Sequence, residues 1–129
     1  MDDQLWKDLI KKLEQNKSAV SAMVTALNPV QATWKPDQDR WSVVEVINHL
    51  ADLESEDFRA DFSIILTTPE KPWPNFDIFE LLNERNYNSR GLSESLNRFI
   101  SERNTSLSWL ESLKKPDLSM KHSGNGKRG

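Results

Sequence analysis

The residue best suited to chemistry in this sequence is His49, because it falls inside a strongly predicted helix. Ser42 and Glu45 have the spacing of a capping box, in which the serine side chain accepts from the amide of Glu45 and the glutamate side chain accepts from the amide of Ser42. Trp41, before the cap, is expected to pack onto Val46 as a hydrophobic staple. The helix therefore begins at a fixed residue, and a neutral imidazole about two turns later could bind a metal or transfer a proton.

Acidic side chains flank His49 on the same predicted helix. Glu45, Asp52 and Glu56 follow four-, three- and four-residue steps through His49, so all four share one stripe. Carboxylates close to the imidazole would raise the pKa of His49. The same pattern also fits a solvated helix face that carries an incidental histidine, and the stripe alone leaves both interpretations open.

Other catalytic signals are absent from the sequence. It contains no glycine-rich phosphate loop, no G-x-S-x-G elbow, no H-E-x-x-H motif and no EF-hand loop. The chain has no cysteine, which excludes disulfides, thiolate nucleophiles and cysteine-based zinc sites. The second of its two histidines, His122, lies in a glycine-rich tail. One histidine beside an acidic stripe is a weak metal signal, since catalytic zinc usually takes three protein ligands.

The composition favours a soluble cytoplasmic protein with one helical domain. A chain of 129 residues fits a single domain, and 36% hydrophobic with 29% charged residues suits helices with broad solvated faces. The net charge of -3 argues against a nucleic-acid partner, which would need a basic stripe. No apolar run approaches the roughly 20 residues of a membrane span, and the acidic start lacks the apolar region of a signal peptide.

Apolar residues recur at three- and four-residue steps through most of the chain, with proline and glycine between the periodic segments. The pattern predicts an all-α, up-and-down bundle of three long helices and one short helix. The predicted helices are residues 3–27, 43–66, 78–87 (capped by Asp77) and 93–113, with a connector at 30–40 and a proline-rich loop at 67–75. Residues 1–118 are expected to form the bundle domain, and residues 119–129 a flexible, basic, glycine-rich tail or loop.

Three short segments resemble the signature of the DinB/YfiT-like four-helix bundle superfamily, whose members are metal-dependent proteins. They are Trp34-Lys35-Pro36, Trp41-Ser42-Val43-Val44-Glu45-Val46 and His49-Leu50-Ala51-Asp52-Leu53-Glu54. The run Asn83-Glu84-Arg85-Asn86, residues 93–113 and Lys121-His122-Ser123-Gly124 are also similar to members of that family. The most specific part is the Trp-Ser turn, followed seven residues after the serine by His-Leu.

The resemblance implies a divalent metal (nickel, zinc or iron) bound by three histidines, of which the first corresponds to His49. Glu45 and Asp52 then become candidates to accept a hydrogen bond from the imidazole N–H that does not face the metal. In the family the other two ligands form an H-x-x-x-H pair on the last helix. This sequence has no such pair and stops in the preceding loop, with which His122 aligns, so no ligand role passes to His122. The fourth bundle helix is therefore expected to be absent from the chain, and a complete three-histidine site cannot form from these residues alone.

Two functions follow from these expectations. The first is a DinB-like metal-dependent transferase, of the thiol S-transferase kind, or a hydrolase; it would act on a small molecule, with a low-molecular-weight thiol as a candidate partner. The alternative is a metal-free helical binding or dimerisation module without catalytic activity. Apolar faces that no fourth helix covers would favour a homodimer, because large exposed apolar patches usually bind a partner.

Overall fold

The computed structural model describes residues 3–68, 70–72 and 84–113, and every regular element in these ranges is helical. The predicted all-α class is therefore confirmed, and each described end of the long helices lies within two residues of its predicted position. Within these ranges no helix combines the length and apolarity needed to cross a lipid bilayer. The elements are α1 (Asp3–Thr25), α2 (Pro29–Thr33), α3 (Val43–Asp52), a π-helical segment (Leu53–Arg59), α4 (Ala60–Thr67), a 3-10 turn (Tyr87–Ser89) and α5 (Leu92–Ser112).

Helices α3 and α4 form one continuous helical stretch with the π-helical segment between them. This stretch runs parallel to α5, because Asn48 near its start bonds Ser95 and Phe62 near its end packs against Trp109. The predicted bundle is present, but these two long helices do not alternate in direction as a strict up-and-down order would require.

Helix α1 runs antiparallel to α5. The guanidinium of Arg103 donates to the carbonyl of Leu13 at 2.8 Å, whereas Val20 and Val24, later in α1, share an apolar cluster with Leu96 and Phe99, earlier in α5. The C-terminal half of α1 then meets the N-terminal halves of α3 and α5 in an apolar core. Burying each large aliphatic or aromatic side chain there contributes about 1.5–3 kcal/mol, which holds the start of α3 in place. The core residues are Val20, Val24, Ile47, Ala51, Leu96 and Phe99.

The short helix α2 lies in what the sequence pattern predicted as a connector. Asn28 and Gln31 form a capping box, with the amide of each bonded to the side chain of the other at 2.9 and 2.8 Å. Pro29 occupies the first turn, where its missing N–H costs nothing. The signal was present in the sequence as Asn-Pro-x-Gln. A five-residue helix is too short to show apolar periodicity, so the pattern missed it.

Most of the predicted short helix, residues 78–87, lies outside the described residues, as do the capping residue Asp77, His122 and the predicted domain boundary at 118/119. Its last part is described: Glu84 and Arg85 are helical. Asn86 then adopts a left-handed conformation with φ 50° and ψ 51°, which ends the helix, and the 3-10 turn follows. The predicted break between this helix and α5 is therefore confirmed.

Candidate functional site

The predicted capping box at the start of α3 is confirmed. The amide of Glu45 donates to the hydroxyl of Ser42 at 3.1 Å, and the amide of Ser42 donates to the carboxylate of Glu45 at 2.9 Å. The same hydroxyl donates to the side-chain oxygen of Asn88, whose amide nitrogen donates to the carbonyl of Thr33. The cap thus ties α3 to the segments before and after it, and the position of His49 on α3 is fixed relative to both.

Trp41 lies against the imidazole of His49. The two ring centroids are 5.0 Å apart and the planes cross at 71°, an edge-to-face arrangement. Val46, the expected partner of the indole, remains 40% exposed. Trp41, the residue before the cap, therefore contacts His49 directly.

The pKa of His49 is lowered, which contradicts the expected rise. Burial lowers this pKa because the charged imidazolium loses hydration, and the negative charge of Asp52 raises it by less. The expected rise considered only the carboxylates along one helix, whereas the burial of the imidazole has the larger effect. The lowered pKa favours the neutral imidazole, the form in which a ring nitrogen binds a metal.

Each carboxylate of the predicted stripe has a cationic partner. Lys35 lies 3.0 Å from Glu45, and Arg85 binds Glu56 through two hydrogen bonds of 2.9 and 2.8 Å. Arg85 and Arg98 both form ion pairs with Asp52. Glu45 and Asp52 are each 4% exposed, so the interpretation of this stripe as a solvated face is wrong for these two residues.

The expected hydrogen bonds from the imidazole of His49 to Glu45 or Asp52 are not formed. The oxygens of Glu45 bind the amide of Ser42 and the ammonium of Lys35, and those of Asp52 face two arginines. Asp52 acts on His49 through its charge alone. In the described part of the chain, the ring of Trp41 is the contact that orients the imidazole.

Asn48, next to His49, is a buried polar residue that sequence reasoning missed. It is fully buried, and its amide nitrogen donates to the carbonyl of Val44 at 3.0 Å and to the hydroxyl of Ser95 at 2.7 Å. Its side-chain oxygen accepts from Arg90 and from Arg98, both at 3.3 Å. Asn48 thus fixes the first turns of α3 to α5 and holds two arginines together at its side-chain oxygen.

A second buried network links α1, the π-helical segment and α5. The guanidinium of Arg103 donates to Glu54 at 2.7 Å, and the hydroxyl of Ser106 donates to the other carboxylate oxygen at 2.7 Å. Arg103 also bonds the carbonyl of Leu13 and the side chain of Asn16. This network contains no unpaired charge and lies beyond the turn that carries His49. Its role is to hold the helices together.

The described residues do not complete a metal site around His49. Within residues 3–68, 70–72 and 84–113, histidine, aspartate and glutamate side chains nowhere form a group of three that could hold a metal ion. His122 lies outside these ranges. His49 therefore offers one nitrogen ligand, and a single ligand binds a divalent ion weakly and without selectivity.

An apolar groove of about 460 Å³ lies at the opposite end of the helices from His49. Trp6 of α1, Phe58 of the π-helical segment and Phe62 of α4 form its aromatic wall, and Lys12 lies at its edge. Because the groove begins nine residues beyond His49 along the same helical stretch, it is separate from the histidine. The other lining residues are Leu9, Ile10, Leu13, Asn16 and Leu110.

Comparisons with known proteins agree with the helical architecture. The family model described as the DinB superfamily matches residues 12–128. Among solved structures, YfiT from Bacillus subtilis superposes with a TM-score of 0.73 at 20% sequence identity, covering 89% of this chain. That protein is described as "a probable metal-dependent hydrolase with an unusual four-helix bundle topology", and this chain spans 65% of its length. No curated protein matches the chain.

Proposed function

The chain belongs to the DinB superfamily, and we propose that it serves a metal-dependent transferase or hydrolase reaction on a small molecule, with His49 as one metal ligand. The observation that carries this proposal is the placement of His49: its imidazole lies against the ring of Trp41, on a helix fixed at its first turn. Burial also lowers the pKa of His49, which favours the neutral form. A preorganised donor of this kind is what a metal site requires. The description of YfiT as a metal-dependent hydrolase supports the same class by analogy.

The chemistry assigned to this chain is limited to what its residues can do. His49 supplies one nitrogen donor, whereas a catalytic metal needs about three protein ligands. The described residues do not provide the others. A metal held there would be nickel, zinc or iron, and it would polarise a substrate oxygen or activate a nucleophile. A thiol partner and a cytoplasmic location stay predictions from the sequence.

Metal content tests the role of His49. The chain is purified from cells grown with nickel, zinc and iron, and bound metal is measured by mass spectrometry for the wild type, His49→Ala and His122→Ala. We expect metal in the wild type, at least tenfold less in His49→Ala, and an unchanged amount in His122→Ala, to which no ligand role is assigned. Equal metal in the wild type and His49→Ala, or loss with His122→Ala alone, contradicts the proposal.

A second candidate function, a helical dimerisation module, is favoured by the apolar groove. Leu9 in its wall is 40% exposed, and Leu5 one turn earlier is 45% exposed. A second copy of the chain could bury this apolar edge of α1, since a patch of this kind is a common protein interface. In this case the chain would act by binding, without catalysis.

Solution mass separates the two functions. Light scattering over a wide concentration range should show a dimer for the wild type and a shift towards monomer for Leu9→Glu, because a carboxylate cannot be buried unpaired in the interface. Val30→Glu is the matched control, since Val30 is 76% exposed on α2 and outside the groove. A monomer at every concentration would rule out the dimerisation module and leave the enzyme proposal unaffected.

A further inference from the structure

Two arginines converge on one neutral oxygen, that of Asn48. The Nη1 atoms of Arg90 and Arg98 each lie 3.3 Å from the side-chain oxygen of Asn48, so the two positive groups are neighbours. Asn48 cannot move away from them, because its amide nitrogen is bonded to the carbonyl of Val44 and the hydroxyl of Ser95. The buried asparagine therefore holds the two cations together against their mutual repulsion.

The charges in this cluster do not balance in the described part of the chain. Arg98 and Arg85 share the carboxylate of Asp52, and Arg85 also binds Glu56. Three arginines thus meet two carboxylates. The unmatched positive charge is on Arg90.

Arg90 makes all of its described contacts with neutral groups. Its guanidinium donates to the side-chain oxygen of Asn48 and, at 3.2 Å, to the backbone carbonyl of Arg85, and it lies 5.3 Å from the ring centroid of Tyr87. Neither a carbonyl nor an aromatic ring neutralises a guanidinium. A partly buried charge without a counter-ion is costly, and an anion placed beside it would be favourable.

We propose that Arg90, together with Arg98, binds an oxyanion group, a carboxylate or a phosphate, of the small molecule on which the chain acts. The planar fork of a guanidinium matches both groups. The site lies at the same level of α3 as His49, because Asn48, which both arginines contact, directly precedes that residue in the helix. The identification of the anion as a substrate group rests on the proposed function, whereas the binding of the anion does not.

The direct test is an NMR titration of the ¹⁵N-labelled chain in metal-free buffer at constant ionic strength, with inorganic phosphate and with succinate. We expect saturable shifts of the backbone amides of Asn48, Arg90 and Arg98 with at least one probe. The probe that binds more tightly shows whether the site prefers phosphate or carboxylate. In Arg90→Gln the affinity should fall about tenfold or more, since hydrogen bonds to charged groups are the strong ones.

The matched control is Arg59→Gln. Arg59 is also a partly buried arginine, but it pairs with Glu102 at 2.6 Å, away from His49, so its loss should leave the anion affinity unchanged. Should Arg90→Gln fail to fold, Arg90→Lys keeps the charge and removes the fork, and we expect a severalfold weaker affinity. Absence of saturable shifts with both probes, or wild-type affinity in a folded Arg90 variant, overturns the proposal.

The same titration distinguishes anion binding by the arginines from metal binding by His49. It contains no metal, so anion binding should survive in His49→Ala even though that variant should lose metal. Metal binding without anion binding overturns only the role of Arg90 and Arg98. Anion binding without metal in the wild type overturns only the role of His49.

Discussion

The indole of Trp41 covers the imidazole of His49, with ring centroids 5.0 Å apart, across the first two turns of α3. The two residues are eight positions apart, and the capping box between them sets the angle at which the chain enters the helix. One local sequence pattern thus creates both the helix start and the cover of its histidine. Burial is the larger influence on the lowered pKa of His49, and the contact with Trp41 contributes to that burial.

Removing the indole should raise the pKa of His49. In Trp41→Ala the imidazole gains water and the charge of Asp52 keeps its effect, so we expect the pKa to move up towards or above its ordinary value of 6.5. The measurement is an NMR titration of the imidazole protons. Trp34→Ala is the control, because Trp34 is 64% exposed and should leave the pKa of His49 as it is. An unchanged pKa in Trp41→Ala would show that the burial has another source.

The lowered pKa of His49 also predicts how stability depends on pH. The unfolded chain takes up this proton at about pH 6.5, whereas the folded chain resists it until a lower pH. Between the two pKa values the unfolded state binds more protons, so the free energy of unfolding rises with pH and levels off above about 6.5. Urea unfolding from pH 5 to 8 should show this slope, and His49→Gln should have a smaller one. Because His122 is present in both proteins, it cancels in the difference.

The cap itself should contribute measurably to stability. Ser42→Ala removes the acceptor for the amide of Glu45 and the donor to the side chain of Asn88, both within a site where Ser42 is 1% exposed. We expect a loss of about 1–2 kcal/mol in the free energy of unfolding. Ser93→Ala in the exposed first turn of α5 is the control and should stay within about 0.5 kcal/mol of the wild type. Equal losses in the two variants would mean that the cap is not what stabilises the start of α3.

The parts of the fold that could be predicted are those encoded over a few residues. The capping box of Ser42 and Glu45 lies within one turn, and the apolar period of the long helices repeats over several turns, so both are readable from sequence. Helix directions are not local. The parallel arrangement of the α3–α4 stretch and α5 depends on contacts between residues far apart in sequence, such as Asn48 with Ser95, and no short pattern specifies them.

The residues of the site on α3 could be predicted, but their ion-pair partners and the pKa of His49 could not. His49 and its acidic neighbours could be recognised because they lie on one helix. Their cationic partners come from other segments: Lys35 precedes the cap, and Arg98 lies 46 positions after Asp52. The direction of the pKa shift of His49 was predicted wrongly for a different reason: burial of the imidazole depends on packing that a single helix does not show. The sequence did contain one sign of buried ion pairs. Glu54 and Arg103 each occupy a position where the apolar repeat of their helix predicts a core residue, and the structure pairs the two.

The pairing of Glu54 with Arg103 provides the sharpest test of the bundle interior. Their side chains are 9% and 10% exposed and 2.7 Å apart. Replacing either one by alanine leaves the other charge buried without its partner, and we expect each single variant to lose about 3–5 kcal/mol in urea unfolding. The double variant should lose clearly less than the sum, because no unpaired charge remains.

The more exposed pair of Arg59 and Glu102 is the reference for this cycle. Those side chains are 17% and 27% exposed, so solvent can hydrate whichever partner is left, and each alanine variant should cost about 1 kcal/mol or less. The comparison separates the effect of burial from that of losing an ion pair. Strictly additive losses for Glu54 and Arg103, or losses no larger than those of the reference pair, would contradict a buried and coupled network across α1, the π-helical segment and α5.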